Sequence, residues 1–264
     1  MGTWTSCFVT HYPKVLLIES AEGERVEGET ITVYMGKWNS RFEINKAFLL
    51  DEVPFFRTVF KRFHPHNEVR RAMYPKGDSE SFGILLNWLC TYRLPALTAK
   101  FENGDGEVEY SGYQPDKLYY LVVKFQLFNL ANHIMDCLMP CHHYLYVGFS
   151  KEQIMSIYKQ GINKGDEFFG LRKFVSMWLL HELTNSRFEN KLSTEAEYES
   201  LLEVPEVLGD LRKLDAGLER KCPWHLLTCS LHKHDDDNRC AERMYKFETV
   251  EPSYGEISVH TLLR

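Results

Sequence analysis

Residues 31–94 constrain this chain most, because strand and helix punctuation falls there in one definite order. Ile31-Thr32-Val33-Tyr34-Met35 is β-branched and aromatic and closes at Gly36, which predicts a buried strand. Arg41-Phe42-Glu43-Ile44 alternates polar and apolar residues, as a hairpin partner does. Asn45 stands in the capping position of a short helix over 46–52. Pro54 then opens a second helix at the one turn where its missing N–H costs nothing, with Phe55, Val59 and Phe63 as the predicted core face. Asp78 and Ser79 cap a third helix, whose stripe of Phe82, Leu85, Leu86, Leu89 and Tyr92 is stopped by Pro95. A small sheet capped by a helical cluster predicts the α+β class.

Beyond Pro95 the pattern loosens. Residues 96–114 contain Glu102-Asn103-Gly104-Asp105-Gly106-Glu107 and read as a flexible acidic insertion. Asp116 caps a helix carrying Leu118, Leu121, Val122, Phe125 and Phe128, and a short helix near 130–138 ends at Pro140. Ser150 caps a helix over 151–160 with Ile154, Ile157 and Tyr158. Asp166 precedes Phe168, Leu171, Val175, Trp178 and Leu179, a strong amphipathic pattern, and 201–214 suggests one more helix. The expected division is an N-terminal segment 1–28, a domain 29–140 with insertion 96–114, a helical extension 148–215 and a Cys/His-containing tail 216–264.

A formal net charge of −6 argues against nucleic acid as a partner, since phosphate contacts need a dense Lys/Arg surface. The one basic cluster, Lys61, Arg62, Arg70 and Arg71 with His64 and His66 between, reads as a solvated helix end and turn. No apolar run reaches membrane-spanning length, and no basic-then-apolar leader opens the sequence. Seven cysteines, an odd number, argue against a complete disulfide framework and for a reducing cytoplasmic or nuclear location. Gly2 and Ser6 match the loose myristoylation pattern, with Cys7 as a second acyl acceptor. Membrane attachment is expected only if Gly2 is acylated; chance similarity is the plainer explanation.

Chemistry-bearing residues are concentrated near the C-terminal end. Cys222, His225, Cys229, His232, His234 and Cys240 form the only run with metal-like spacing. Such donors suit tetrahedral zinc, which would hold the tail folded. Their spacing matches no standard zinc finger, and Asp235–Asp237 can equally mark a solvated tail. Cys137, Cys141, His142 and His143 form a second cluster, in which Cys137 reads as a core residue. A Cys–His nucleophile there would need an orienting group and an oxyanion donor, and the sequence names neither. His181 beside Glu182 reads as a surface or interface histidine. GxGxxG, Walker, GxSxG and HExxH patterns are all missing, so no enzyme is expected.

Taken in order, Thr32-Val33, Phe42-Glu43-Ile44-Asn45-Lys46, Leu49-Leu50, Pro54-Phe55-Phe56, Ser81-Phe82, Trp88-Leu89-Cys90-Thr91 and Lys124-Phe125-Gln126-Leu127 resemble the BTB/POZ domain. The match covers residues 29–139 and looks most like the BTB proteins of filamentous fungi, including the acidic insertion and a following helical segment with Leu171-Arg172-Lys173-Phe174. The chain departs from the family at Thr30, where an acid is usual, at Asn45 (His), Val53 (Ser or Thr) and Tyr92 (Gly). The resemblance implies a non-enzymatic adaptor that binds a cullin scaffold of a ubiquitin ligase or another BTB chain. Phe55, Phe56, Phe60 and Phe63 are then partly core and partly contact. Two rivals are a BTB-containing transcriptional or chromatin regulator with a zinc-stabilised tail, and a hydrolase built on Cys141 and His142.

Overall fold

The computed structural model describes residues 6–9, 16–19, 29–63, 71–101, 108–145, 149–160, 170–184, 195–216, 228–233 and 257–258. They are mixed α+β and mostly helical. The chain divides into two compact units, one of residues 1–95 with 117–127 and one of 96–116 with 128–264.

The first unit opens with a two-stranded antiparallel hairpin, β1 (Ser6–Val9) and β2 (Leu16–Glu19), in a region the sequence pattern left unassigned. β3 (Thr30–Met35) and β4 (Ser40–Asn45) pair antiparallel, with Val33 opposite Phe42 and Ile31 opposite Ile44. β5 (Arg71–Tyr74) joins parallel to β3, giving the order β4-β3-β5. The sequence reading placed Arg71 in a solvated turn. Arg-Ala-Met-Tyr alternates only between exposed and half-buried positions, so its strand signal is weak. Ile31, Val33, Met35, Phe42 and Ile44 are buried on one face of the sheet. Gly36, at φ +75°, makes the turn out of β3 and donates its amide to the Tyr74 carbonyl at 2.9 Å.

Capping chemistry then sets the helices. Asn45 Oδ1 accepts from the Phe48 amide at 3.0 Å and starts α1 (Lys46–Glu52). Pro54 is the first residue of α2 (Pro54–Phe63). Arg57 reaches back from α2 to the end of α1, donating to the Leu50 and Asp51 carbonyls at 3.0 and 2.9 Å. Asp78 Oδ2 accepts from the Ser81 amide at 2.8 Å and starts α3 (Ser79–Thr91). That helix ends at Thr91, where the Asn87-Trp88-Leu89-Cys90-Thr91 run was expected to end it, in a left-handed turn at Tyr92, φ 53°. α4 (Pro115–Lys124) begins at Pro115, so Asp116 lies in its first turn rather than capping it.

The second unit folds the expected insertion into a hairpin, β6 (Thr98–Phe101) with β7 (Val108–Ser111), and β8 (Ile257–Ser258) adds to β6. Gly112, at φ +92°, is required beside it, because a Cβ would lie 2.1 Å from the Ala96 carbonyl oxygen. α5 (Phe128–Leu145) runs straight through Pro140, where the sequence predicted a stop. Proline there deprives the Asp136 carbonyl of its helical donor. Burial of Leu138, Met139, Cys141 and His142 around it keeps the helix going.

α6 (Lys151–Gln160) carries a reciprocal cap, Gln153 N to Ser150 Oγ at 3.2 Å and Ser150 N to Gln153 Oε1 at 2.9 Å. α7 (Gly170–Thr184) is more deeply buried than the expected amphipathic pattern implied. Leu171, Phe174, Val175, Met177, Trp178, Leu179 and Leu180 are buried and leave it no wide solvent face. In place of one helix over 201–214 there are two, α8 (Glu195–Leu202) and α9 (Pro205–Ala216), divided where Pro205 restarts the chain. A 3-10 turn, Thr228–Leu231, follows.

Tyr92 holds a left-handed turn that glycine adopts more readily, and its ring rests edge-on against Trp88 at 5.5 Å. Comparing Tyr92→Gly with Tyr92→Ala isolates the backbone from the ring. Denaturant melts are expected to find the glycine variant about 1 kcal/mol more stable than the alanine one.

Candidate interaction surface

The four phenylalanines expected to be partly core and partly contact differ in burial. Phe56 is fully buried and Phe60 nearly so, at 8% exposure; Phe55 is half-buried. The Phe55 ring lies 5.2 Å from Phe125 and 5.6 Å from Phe56, and Phe56 lies 5.1 Å from Phe125 and 5.9 Å from Phe60. These rings fill the interior of the first unit, with Tyr74 and Phe82 also against Phe125. The backbone of Phe63 ends α2, and its side chain lies outside the described residues. Among the described side chains of α2, Arg57 and Thr58 are exposed.

What the first unit does leave open was not legible as a site. Strand alternation turns Thr32, Tyr34, Arg41, Glu43, Arg71 and Met73 away from the buried face, and Tyr34 is in register with both Arg41 and Met73. Met73 is 63% exposed, and Arg41 and Glu43 pair with each other. At the β3–β4 turn Trp38 is 86% exposed, with the Lys37 ammonium 5.6 Å from its ring centre. Its signal was available: Gly36-Lys37-Trp38-Asn39 puts the largest apolar side chain where turn residues belong.

The Cys/His cluster of the second unit is an interior. His142 is buried, its Nε2 2.5 Å from the Tyr110 hydroxyl and its ring stacked on Phe149 at 4.2 Å. Cys141 Sγ lies 4.0 Å from the Leu97 carbonyl oxygen. Burial pushes the Cys141 thiol up to about 12, with Cys137 adding to the rise. Burial does the same to Cys137, also to about 12, against a lowering contribution from the Tyr113 hydroxyl. Burial likewise raises Tyr110 well above its ordinary value. A thiol held so high is almost wholly protonated at neutral pH, and the thiolate is the nucleophile. Half-buried Glu182 on α7 is also held up, to about 7, by burial.

Of the six expected zinc ligands, Cys222, His225, His234 and Cys240 lie outside the described residues, as does Gly2; Cys229 is described by its backbone alone. His232 directs Nε2 to Asp136 Oδ1 at 2.9 Å. Among the described residues no group of three or more His, Cys, Asp or Glu could hold a metal, and no helix is long and apolar enough to cross a membrane. Cys137 and Cys141 are free thiols, whereas Cys90 on α3 is disulfide-bonded. No protein-family model and no curated protein matches the chain.

Iodoacetamide at pH 8 is expected to leave Cys137 and Cys141 unmodified in the folded chain and to label both after unfolding, read by peptide mass spectrometry. Native labelling of Cys141 would mean an accessible thiolate and reopen nucleophilic chemistry there.

Proposed function

We propose that the chain is a non-enzymatic protein-interaction adaptor whose first unit is the binding module. The observation that carries this reading is Trp38, left almost fully in solvent at a hairpin tip. Trp, Tyr, Met and Arg are the side chains over-represented at protein interfaces, and Trp is prominent among the few that dominate binding energy. Seating one such ring in a partner pocket is worth about 2 kcal/mol of transfer free energy. Burial, which raises the thiols of Cys137 and Cys141, counts against the nearest enzymatic rival and so supports the same reading.

A BTB/POZ-type module is the specific form of this proposal. A hairpin followed by two short helices and then a capped helix is the order on which the resemblance rests, and it supports this reading. A cullin scaffold would meet α2 through the half-exposed edge of Phe55 and through Thr58, since Phe56 and Phe60 are held inside. Cytoplasmic or nuclear residence belongs to the same reading, and there the Cys90 bond would be reduced. Affinity purification of the tagged full chain is expected to recover a cullin and its RING partner stoichiometrically, lost with Thr58→Arg. A different reproducible partner lost with Trp38→Ala would keep the adaptor and discard the ligase. Recovery of no stoichiometric partner would overturn both.

A structural zinc in the 222–240 segment is also proposed, on donor density alone. His232 could join such a site through Nδ1, with Asp136 orienting the ring from the other side. Metal analysis of the purified chain is expected to find stoichiometric zinc that Cys222→Ser removes; metal-free protein that keeps its fold would end the idea.

A further inference from the structure

Three side chains of α5 stand in one row at a spacing of four: Phe128, Asn132 and Asp136. Each meets a different feature of one short segment near the C-terminal end. The Lys233 ammonium sits 4.3 Å from the Phe128 ring centre. The Asn132 carboxamide grips the Lys233 backbone twice, donating from Nδ2 to its carbonyl at 3.0 Å and accepting from its amide at Oδ1, also at 3.0 Å. His232 Nε2 lies 2.9 Å from Asp136 Oδ1, and Leu231 is buried where the 3-10 turn packs against α5 and α7.

This combination is more selective than general packing. A carboxamide that pairs with both the N–H and the C=O of one residue does what a neighbouring strand does, so it selects extended backbone whatever the side chain. The other contacts select identity. A ring face takes a cation, a carboxylate takes an imidazole N–H, and the apolar recess takes a leucine. Asp136 is buried in an otherwise apolar stretch of helix, a position that is costly unless a partner such as this histidine is supplied.

We infer that the Phe128–Asn132–Asp136 row is a peptide-reading site for segments of the order apolar–histidine–cation. Leu231-His232-Lys233 occupies it in cis, and a partner protein presenting the same order takes the row by displacing that segment. The exchange trades like contacts for like, so tethering decides it. A cis ligand acts at an effective concentration in the millimolar range and excludes weak competitors. A partner that adds contacts outside the row overcomes that advantage. The site belongs to the second unit and stands whether or not the first unit is a BTB-type adaptor.

The test uses the full chain with Leu231→Ser, His232→Ala and Lys233→Ser combined, and a fluorescein-labelled peptide of residues 228–233 with Ser for Cys229. Anisotropy is expected to rise saturably with the triple variant and about tenfold more weakly with wild type, as the effective-concentration argument requires. Adding Asn132→Leu or Asp136→Asn to the triple variant, or Ala for His in the peptide, is expected to abolish the signal. Absence of saturable binding to the folded triple variant, or equal binding by wild type, overturns the proposal. If the triple variant does not fold, Asn132→Ala alone decides by hydrogen exchange. The Lys233 amide is expected to exchange about tenfold faster while α7 amides keep their rates, and an unchanged Lys233 rate overturns the contact.

Discussion

The ring of Phe125 is the contact on which the first unit depends. It closes α4 and stands 5.1 Å from Phe56 of α2, 5.7 Å from Tyr74 of β5 and 6.1 Å from Phe82 of α3. Phe82 in turn meets Phe42 of β4 edge-on at 4.9 Å. Two helices, the parallel strand and the sheet therefore share one aromatic interior, which stabilises beyond area burial because edge-to-face pairs each add about 1 kcal/mol. The backbone leaves α4 immediately afterwards through Gln126 at φ 62°, a left-handed turn that ends the helix once the ring is placed. Burial also raises the half-buried Tyr74 hydroxyl to about 12.

In the second unit the decisive groups are polar ones taken out of water. Asp210 of α9 is buried and accepts from Arg172 of α7 at 2.5 Å and from Lys213 at 3.2 Å. Arg172 also lies over the Tyr158 ring of α6, 5.1 Å from its centre, and Tyr158 bonds Ser176 at 2.7 Å. Buried ions of this sort contribute little net stability, yet an arrangement that left one of them unpaired would cost several kcal/mol. That asymmetry fixes how α6, α7 and α9 pack more sharply than the leucines around them do. His142 and Asp136 on α5 obey the same rule, each satisfied by a distant segment, Tyr110 for one and His232 for the other.

Much of the first unit was legible because its signals are local. Asn45, Pro54 and Asp78 act through their own side chains and backbone, so capping positions could be read one residue at a time. The errors came where tertiary burial outweighed a local rule. Pro140 breaks an isolated helix, but here apolar neighbours on every side hold α5 together around it. Residues 96–114 look like a loop because Gly and acidic residues dominate their middle, while the short flanking strands gain stability only by pairing. β5 failed for the same reason, since a four-residue edge strand takes its definition from β3. The Phe55–Phe63 stripe was real, but helical periodicity reports which side is apolar, not whether a partner or the chain itself covers it.

Candidate sites were harder to read than the fold, for a physical reason. A surface is functional by virtue of what remains uncovered after folding, and sequence patterns describe what gets covered. The turn residues around Trp38 hint at an exposed ring, but only the folded chain shows it 86% exposed. The α5 row is hidden more deeply, because its meaning needs Asn132 and Asp136 to meet residues 232 and 233, about a hundred positions away along the chain. Read alone, two polar residues at a spacing of four look like the solvent side of a helix. Beside a buried Leu231 and a doubly bonded Lys233 backbone they become a matched surface. A polar residue on a helix that should be apolar is therefore the sequence signal to pursue, since burial makes it costly and only a specific ligand relieves that cost.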